Sequence, residues 1–71
     1  MGFNAILFGQ RLRELRIDSG LSTIKLGKEI GFSSQTVSRW ENGTRNPCVE
    51  SLYIIAKYFG VDSDYLIGLK N

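Results

Sequence analysis

Residues 21–43 read LSTIKLGKEIGFSSQTVSRWENG, and the spacing of the apolar side chains in this stretch decides the fold. Leu26 and Ile30 stand four apart and Val37 and Trp40 three apart, so each pair makes a one-sided stripe on a short helix. Gly31 falls between the two stripes, where a residue in the left-handed region ends the first helix without a Cβ clash. Gly27 lies on the first helix at a place where a side chain would hold the second helix away. The spacing therefore predicts two helices that cross steeply through a tight turn, a helix-turn-helix.

The outer surface of the second helix carries the functional signal. Ser34, Gln35, Ser38 and Arg39 recur at helical spacing on the side opposite Val37 and Trp40. Amide, hydroxyl and guanidinium groups offered outward suit the major groove of DNA, where base edges present paired donors and acceptors. The plain alternative is an ordinary solvated face. The turn and the polar face occur together, and that combination favours DNA.

Composition sets the bounds. The chain has 71 residues, enough for one small domain, here residues 1–71. A chain this short buries only about 60% of its unfolded surface, so its core needs good packing or a partner. Net charge is only +2, but its distribution is uneven. Residues 1–47 hold seven bases against four acids, or +3, while residues 48–71 hold two against three, or −1. The motif half is the basic half, as a one-sided electrostatic footprint requires. Cys48 is the single cysteine, so no internal disulfide forms and a reducing compartment is the default. With one Cys and no His, a zinc site of normal ligation is excluded and the commonest general base is missing. No metal, no cofactor and no enzymatic activity are therefore expected. The opening MGFNAILFG is apolar but too short to span a bilayer, and it lacks the features of a secretory signal. Ile6 stands where a myristoylation motif needs Ser or Thr. A cytoplasmic protein with no membrane partner is the expectation.

Five helices account for the chain. The first is predicted over residues 6–18, with Phe8, Leu12 and Leu15 inward and Arg11, Arg13 and Glu14 wet. Ser22 caps a second helix over 23–30, and Ser33 caps a third over 34–42, with Gly43 as its left-handed stop. Asn46 and Pro47 mark the entrance of a fourth helix that runs to Phe59, with Val49, Leu52, Ile55, Ala56 and Phe59 inward. Gly60 ends it. Asp62 caps a short fifth helix to Ile67, with Tyr65 and Leu66 inward.

The segment 21–43 resembles the helix-turn-helix of the phage repressor and Cro family, the XRE family of bacterial regulators. The likeness extends to FGQRLRELRIDSGLS for the first helix, WENGTRNP for the exit from the third, and SLYIIAKYFGVDSDYLIG for the last two, about residues 8–68 in all. It implies an all-α, compact five-helix bundle, a lambda-repressor-like DNA-binding domain with its helix-turn-helix at helices 2–3. It also implies that Arg16 and Glu41 pair in a partly buried salt bridge tying the first helix to the third, with an architectural role. For DNA phosphates we select the helix starts at Ser22, Thr23 and Ser33, whose free N–H groups attract anions, and Asn42, Thr44 and Arg45 in the following loop. For bases we select Ser34, Gln35, Ser38 and Arg39, with Gln suited to adenine and Arg to guanine. Three positions depart from the family pattern. Thr23 replaces a common Gln, which puts one phosphate and neighbour contact at issue. Gly27 replaces the usual Ala, costing about 1 kcal/mol of helix propensity while permitting a closer crossing. Cys48 replaces a common Ser, which would pass the cap of the fourth helix to Asn46. Nothing cationic flanks Cys48 to lower its pKa, so packing is its expected role over a regulatory thiol.

Apolar residues remain after this core is filled. Ile54 and Tyr58 sit four apart off the buried face, Ile67 and Leu69 extend past the fifth helix, and residues 1–7 form an extra apolar arm with Phe3, Ile6 and Leu7. Either the arm folds over a thicker core, or a twofold interface forms from the fourth and fifth helices, with Ile54, Tyr58 and Ile67 as its contacts. The leading reading is a sequence-specific transcriptional regulator, a repressor first, binding double-stranded DNA as a homodimer on a palindromic operator. The alternative is a protein-interaction module, such as an antitoxin-like chain whose main task is holding a partner.

Overall fold

The computed structural model describes residues 3–70 and holds five helices in the order α1 (Ala5–Asp18), α2 (Thr23–Ile30), α3 (Ser34–Glu41), α4 (Val49–Phe59) and α5 (Ser63–Ile67). Among the described residues there is no strand. The all-α, five-helix architecture is the one that periodicity predicts, with boundaries shifted by a residue or two. Met1, Gly2 and Asn71 lie outside the described residues, and so the first two positions of the apolar arm do as well. The rest of that arm is not separate from the bundle. Asn4 is the N-cap of α1, its Oδ1 accepting the Leu7 N–H at 3.0 Å, so residues 5–7 form the helix's first turn.

Every helix contributes to one core. Phe8 and Leu12 from α1, Leu26 and Ile30 from α2, Val37 and Trp40 from α3, Ile55 and Ala56 from α4, and Leu66 from α5 are buried together. Trp40 is the largest of them. Its ring meets the edge of Phe32 at a centroid separation of 5.0 Å and of Phe8 at 6.5 Å, the inclined geometries that aromatic quadrupoles prefer. Its Nε1 is buried without a hydrogen-bond partner among the described residues, so burial of the ring outweighs the loss of about 1–3 kcal/mol that such a donor carries.

Two glycines let backbones approach. Gly31 takes φ 84° at the end of α2, and the N–H groups of Gly31 and Phe32 both return to the Gly27 carbonyl at 2.8 and 2.9 Å. A side chain at Gly27 would collide with the Phe32 carbonyl and press within 3.3 Å of the Ser34 nitrogen. What Gly27 admits is thus the backbone of the turn itself. Gly9 plays the corresponding part in α1, where a Cβ would lie 2.7 Å from the Glu41 carbonyl oxygen at the end of α3. Real Cβ atoms do not approach so closely, so α1 rests on α3 through bare backbone.

The fourth helix corrects four expectations. Val49, read as inward, is 86% exposed, because it opens the helix beyond the packed region. The buried residue of that turn is Ser51, whose hydroxyl is satisfied by donating to the Cys48 carbonyl at 2.9 Å. Cys48, not Asn46, caps the helix, its Sγ accepting the Ser51 N–H at 3.4 Å. Hydrogen bonding with the Ser51 side chain, and next with its N–H, holds the thiol below its ordinary value with no cation involved. Ile54, placed off the core, is half-buried and packs against it.

Two charges near α5 also differ from expectation. Asp62 occupies the cap position but makes no cap hydrogen bond. Its Oδ2 instead accepts from Lys70 Nζ at 2.7 Å, which holds the carboxyl below and the ammonium above their ordinary values. Arg11, expected at a solvated position, is half-buried. It donates to the carbonyls of Tyr65 and, at 2.8 Å, Lys70, and its guanidinium stacks 4.4 Å from the Tyr65 ring centroid. These interactions join the end of α5 to α1.

Candidate nucleic-acid interface

The candidate reading face follows from how α3 is seated. Val37 and Trp40 fix one side of this eight-residue helix in the core, and helical spacing then turns Gln35 and Arg39 to solvent. Ser34 and Ser38 are half-buried beside them. The two long hydrogen-bonding side chains are one turn apart and exposed, while the two short ones line the base of the same surface. Positions 35 and 39 are thus open to bidentate pairing with base edges.

The candidate phosphate donors differ in what each has left to give. A phosphate oxygen only accepts, so a side chain must keep a hydrogen free to reach it. Ser22 Oγ accepts the Lys25 N–H at 3.0 Å and keeps its own hydrogen. Ser33 Oγ accepts the Thr36 N–H at 3.1 Å and shares a hydrogen with Thr36 Oγ1 at 2.9 Å. Both seryl caps are exposed, and Thr23 is half-buried at the first position of α2. Asn42 and Arg45 are exposed in the loop after α3. Thr44 is exposed as well, but its N–H (3.0 Å) and its hydroxyl (3.3 Å) both donate to the Arg39 carbonyl. Without DNA both donors return to the loop, and the exposed hydroxyl would have to turn from its 3.3 Å contact to meet a phosphate.

Arg16 and Glu41 meet in a bidentate pair, Nε to Oε2 at 2.6 Å and Nη2 to Oε1 at 3.0 Å, with side chains 13% and 5% exposed. The third guanidinium nitrogen, Nη1, donates to the Leu21 carbonyl at 2.8 Å. One guanidinium therefore fastens the end of α1 to the end of α3 and to the entry of α2. The Glu41 hydrogen bond raises the Arg16 pKa above its already high value, so this charge is permanent. The three residues expected at an interface between copies are spread. Ile54 is partly in the core, Ile67 is half-buried, and Tyr58 is exposed with its hydroxyl donating to Glu29 at 3.4 Å. An open groove of about 600 Å³, lined by Val49, Leu52, Tyr53, Lys57 and Val61, runs along another side of α4 and includes none of the three.

A family model described as a helix-turn-helix matches residues 12–66, a span that holds every buried core residue from Leu12 to Leu66. The chain belongs to the Cro/C1-type helix-turn-helix family. It is 35% identical over 61 residues to the HTH-type transcriptional activator BcrR of Enterococcus faecalis, covering 86% of this chain and 30% of that one. Two solved structures share the fold closely. The c2 repressor of Salmonella phage P22, crystallised with a synthetic operator, is 33% identical with a TM-score of 0.82, covering 86% of this chain and 92% of that one. The restriction-modification controller protein C.AhdI of Aeromonas hydrophila is 33% identical with a TM-score of 0.80, covering 89% and 91%. The chain spans 30% to 56% of the length of the curated regulators it matches first. The family is one of DNA-binding transcriptional regulators, and its lambda-repressor-like fold is the fold of this chain. Among the described residues, no helix is long and apolar enough to cross a membrane.

Proposed function

We propose that this chain is a sequence-specific transcriptional regulator, a repressor first, that binds a twofold-symmetric operator as a homodimer in the cytoplasm. The observation that carries the reading is the seating of α3. One side of that helix is locked in the core by Val37 and Trp40, and the other presents Gln35 and Arg39, the residue types that pair bidentately with adenine and guanine. Ser34 and Ser38 complete the base-reading surface, and Ser22, Thr23, Ser33, Asn42 and Arg45 hold phosphates on either side of it. Residues 1–71 act as one DNA-binding unit. An occupied operator works by obstructing polymerase or by offering it a contact.

The dimer rests on surplus apolar surface on α4 and beyond α5. Tyr58 and Ile67 remain suited to it, whereas Ile54 serves the core. On another side of α4, the groove leaves Val49 and Tyr53 exposed as further apolar surface. Twofold symmetry then places two recognition helices about 34 Å apart, one turn of B-DNA.

Selection of bound duplexes from a random pool tests this reading. The expected product is a site with two inverted half-sites whose centres lie about 10 base pairs apart. Enrichment of a single, asymmetric half-site would remove the homodimer. A pool that stays random after repeated rounds would remove sequence-specific readout.

A further inference from the structure

The first turn of α1 has no part in the reading surface, yet it touches the loop that leaves it. Ile6 is 64% exposed, far from a core position, but a methyl group at Gly43 would lie 3.1 Å from its Cγ1 and 3.3 Å from its Cα. Gly43 is the second residue of the loop 42–45, and its φ of 76° turns the chain away from α3. We infer that Ile6 is a positioning residue for DNA binding: it buttresses the loop 42–45 so that Asn42 and Arg45 are held where phosphates arrive. This role rests on the DNA reading above.

The loop is held from two sides. On the α3 side, the Gly43 N–H donates to the Trp40 carbonyl at 3.1 Å, and Thr44 returns to the Arg39 carbonyl. On the α1 side, Ile6 closes against the glycine, whose missing side chain lets the two backbones approach. An exposed loop without such a stop samples many conformations, and each must be given up when phosphates bind. Ile6 itself cannot slide. Asn4 caps its turn, the Phe3 ring lies 5.9 Å from the Phe8 ring, and Leu7 packs against the end of α5, where a side chain at Gly68 would come within 2.7 Å of Leu7 Cδ2. Consecutive residues of one helical turn thus face different partners: Ile6 the loop, Leu7 the fifth helix. The apolar segment ahead of the family match acquires a purpose that a free arm would not have.

Ile6→Ala separates positioning from folding, because Ala keeps the helix and removes little buried surface. The full chain would be titrated with its enriched duplex and with a scrambled duplex of the same composition, at several salt concentrations, alongside thermal unfolding. The expected result is a drop in affinity on the order of tenfold on both duplexes, with the salt slope shallower by about 0.9 for each phosphate that is no longer neutralised. The thermal midpoint should stay near that of the wild type, and Ile6→Val should restore binding. Leu7→Ala, which faces α5 instead, should lower the midpoint and leave the slope unchanged. Unaltered affinity and slope in Ile6→Ala would overturn the proposal. So would a loss confined to the enriched duplex, which would mean that Ile6 acts through α3. An equal change of slope in the Leu7 and Ile6 variants would reduce both to general stability and overturn it too. A wild type that binds neither duplex would instead sink the DNA reading on which this role depends.

Discussion

Binding of this protein to its selected duplex is expected to weaken about a thousandfold between roughly 50 and 200 mM salt. The expectation follows from counting phosphates. Beside the neutral donors at the two helix starts, each subunit carries the exposed cations Lys25, Lys28 and Arg45, so the proposed twofold pair neutralises about six phosphates. Each neutralised phosphate releases condensed counterions and lowers log K by about 0.9 per tenfold rise in salt, so a fourfold rise acting on six of them removes about three orders of magnitude. Charge is placed accordingly. Residues 1–47 carry +3, including Lys25, Lys28, Arg39 and Arg45 around the motif, while residues 48–71 carry −1. Fluorescence titration across that salt range checks the figure. A flat response would mean that the basic half serves something other than a polyanion.

Glu41→Ala is expected to destabilise the fold by about 3–5 kcal/mol, the usual consequence of stranding one member of a buried ion pair. Glu41 is 5% exposed and accepts two hydrogen bonds from Arg16, which then keeps only the Leu21 carbonyl. Arg16 cannot escape by losing its proton, since its pKa lies above an already high ordinary value. The loss would be a large share of the total stability of about 5–15 kcal/mol for a natural domain. Replacing both partners with apolar residues of similar volume should recover most of it, because the intact pair is worth little more than good packing. Urea denaturation of the single and double variants gives both numbers. A single-variant loss below about 1 kcal/mol would place the pair among ordinary solvated ones.

The helix-turn-helix and the core of α1 to α3 are legible in the sequence because they are written in local spacing. Leu26 with Ile30, Val37 with Trp40, and Phe8 with Leu12 each recur at helical intervals, and all six are buried. The meeting of Arg16 with Glu41 comes from the family resemblance, since nothing in the spacing of two charges 25 positions apart requires it. The start of the fourth helix escapes the pattern because hydropathy recognises only apolar side chains. Ser51 is buried by satisfying its hydroxyl locally, and Val49 shares the stripe by arithmetic but lies past the packed region. Arg11 has the pattern of a wet position because its partners, Tyr65 and Lys70, lie 54 and 59 residues away and leave no local trace. Thr44 shows the same limit at the candidate site. Its type suggests a phosphate donor, but only the folded loop reveals that both of its donors return to Arg39.

The proposed division of labour at the DNA surface, with α3 reading bases and the loop beyond it holding only the backbone, can be tested with two variants. Gln35→Ala and Arg45→Ala would each be titrated on the enriched site and on every single-base variant of that site. Gln35→Ala should lose about 1–3 kcal/mol of discrimination at one base pair of each half-site and leave preferences elsewhere intact. Arg45→Ala should weaken every duplex by about the same factor and keep the order of preference. If Gln35→Ala preserves the full base preference, or Arg45→Ala changes it, the face assigned to reading is not the one that touches the bases.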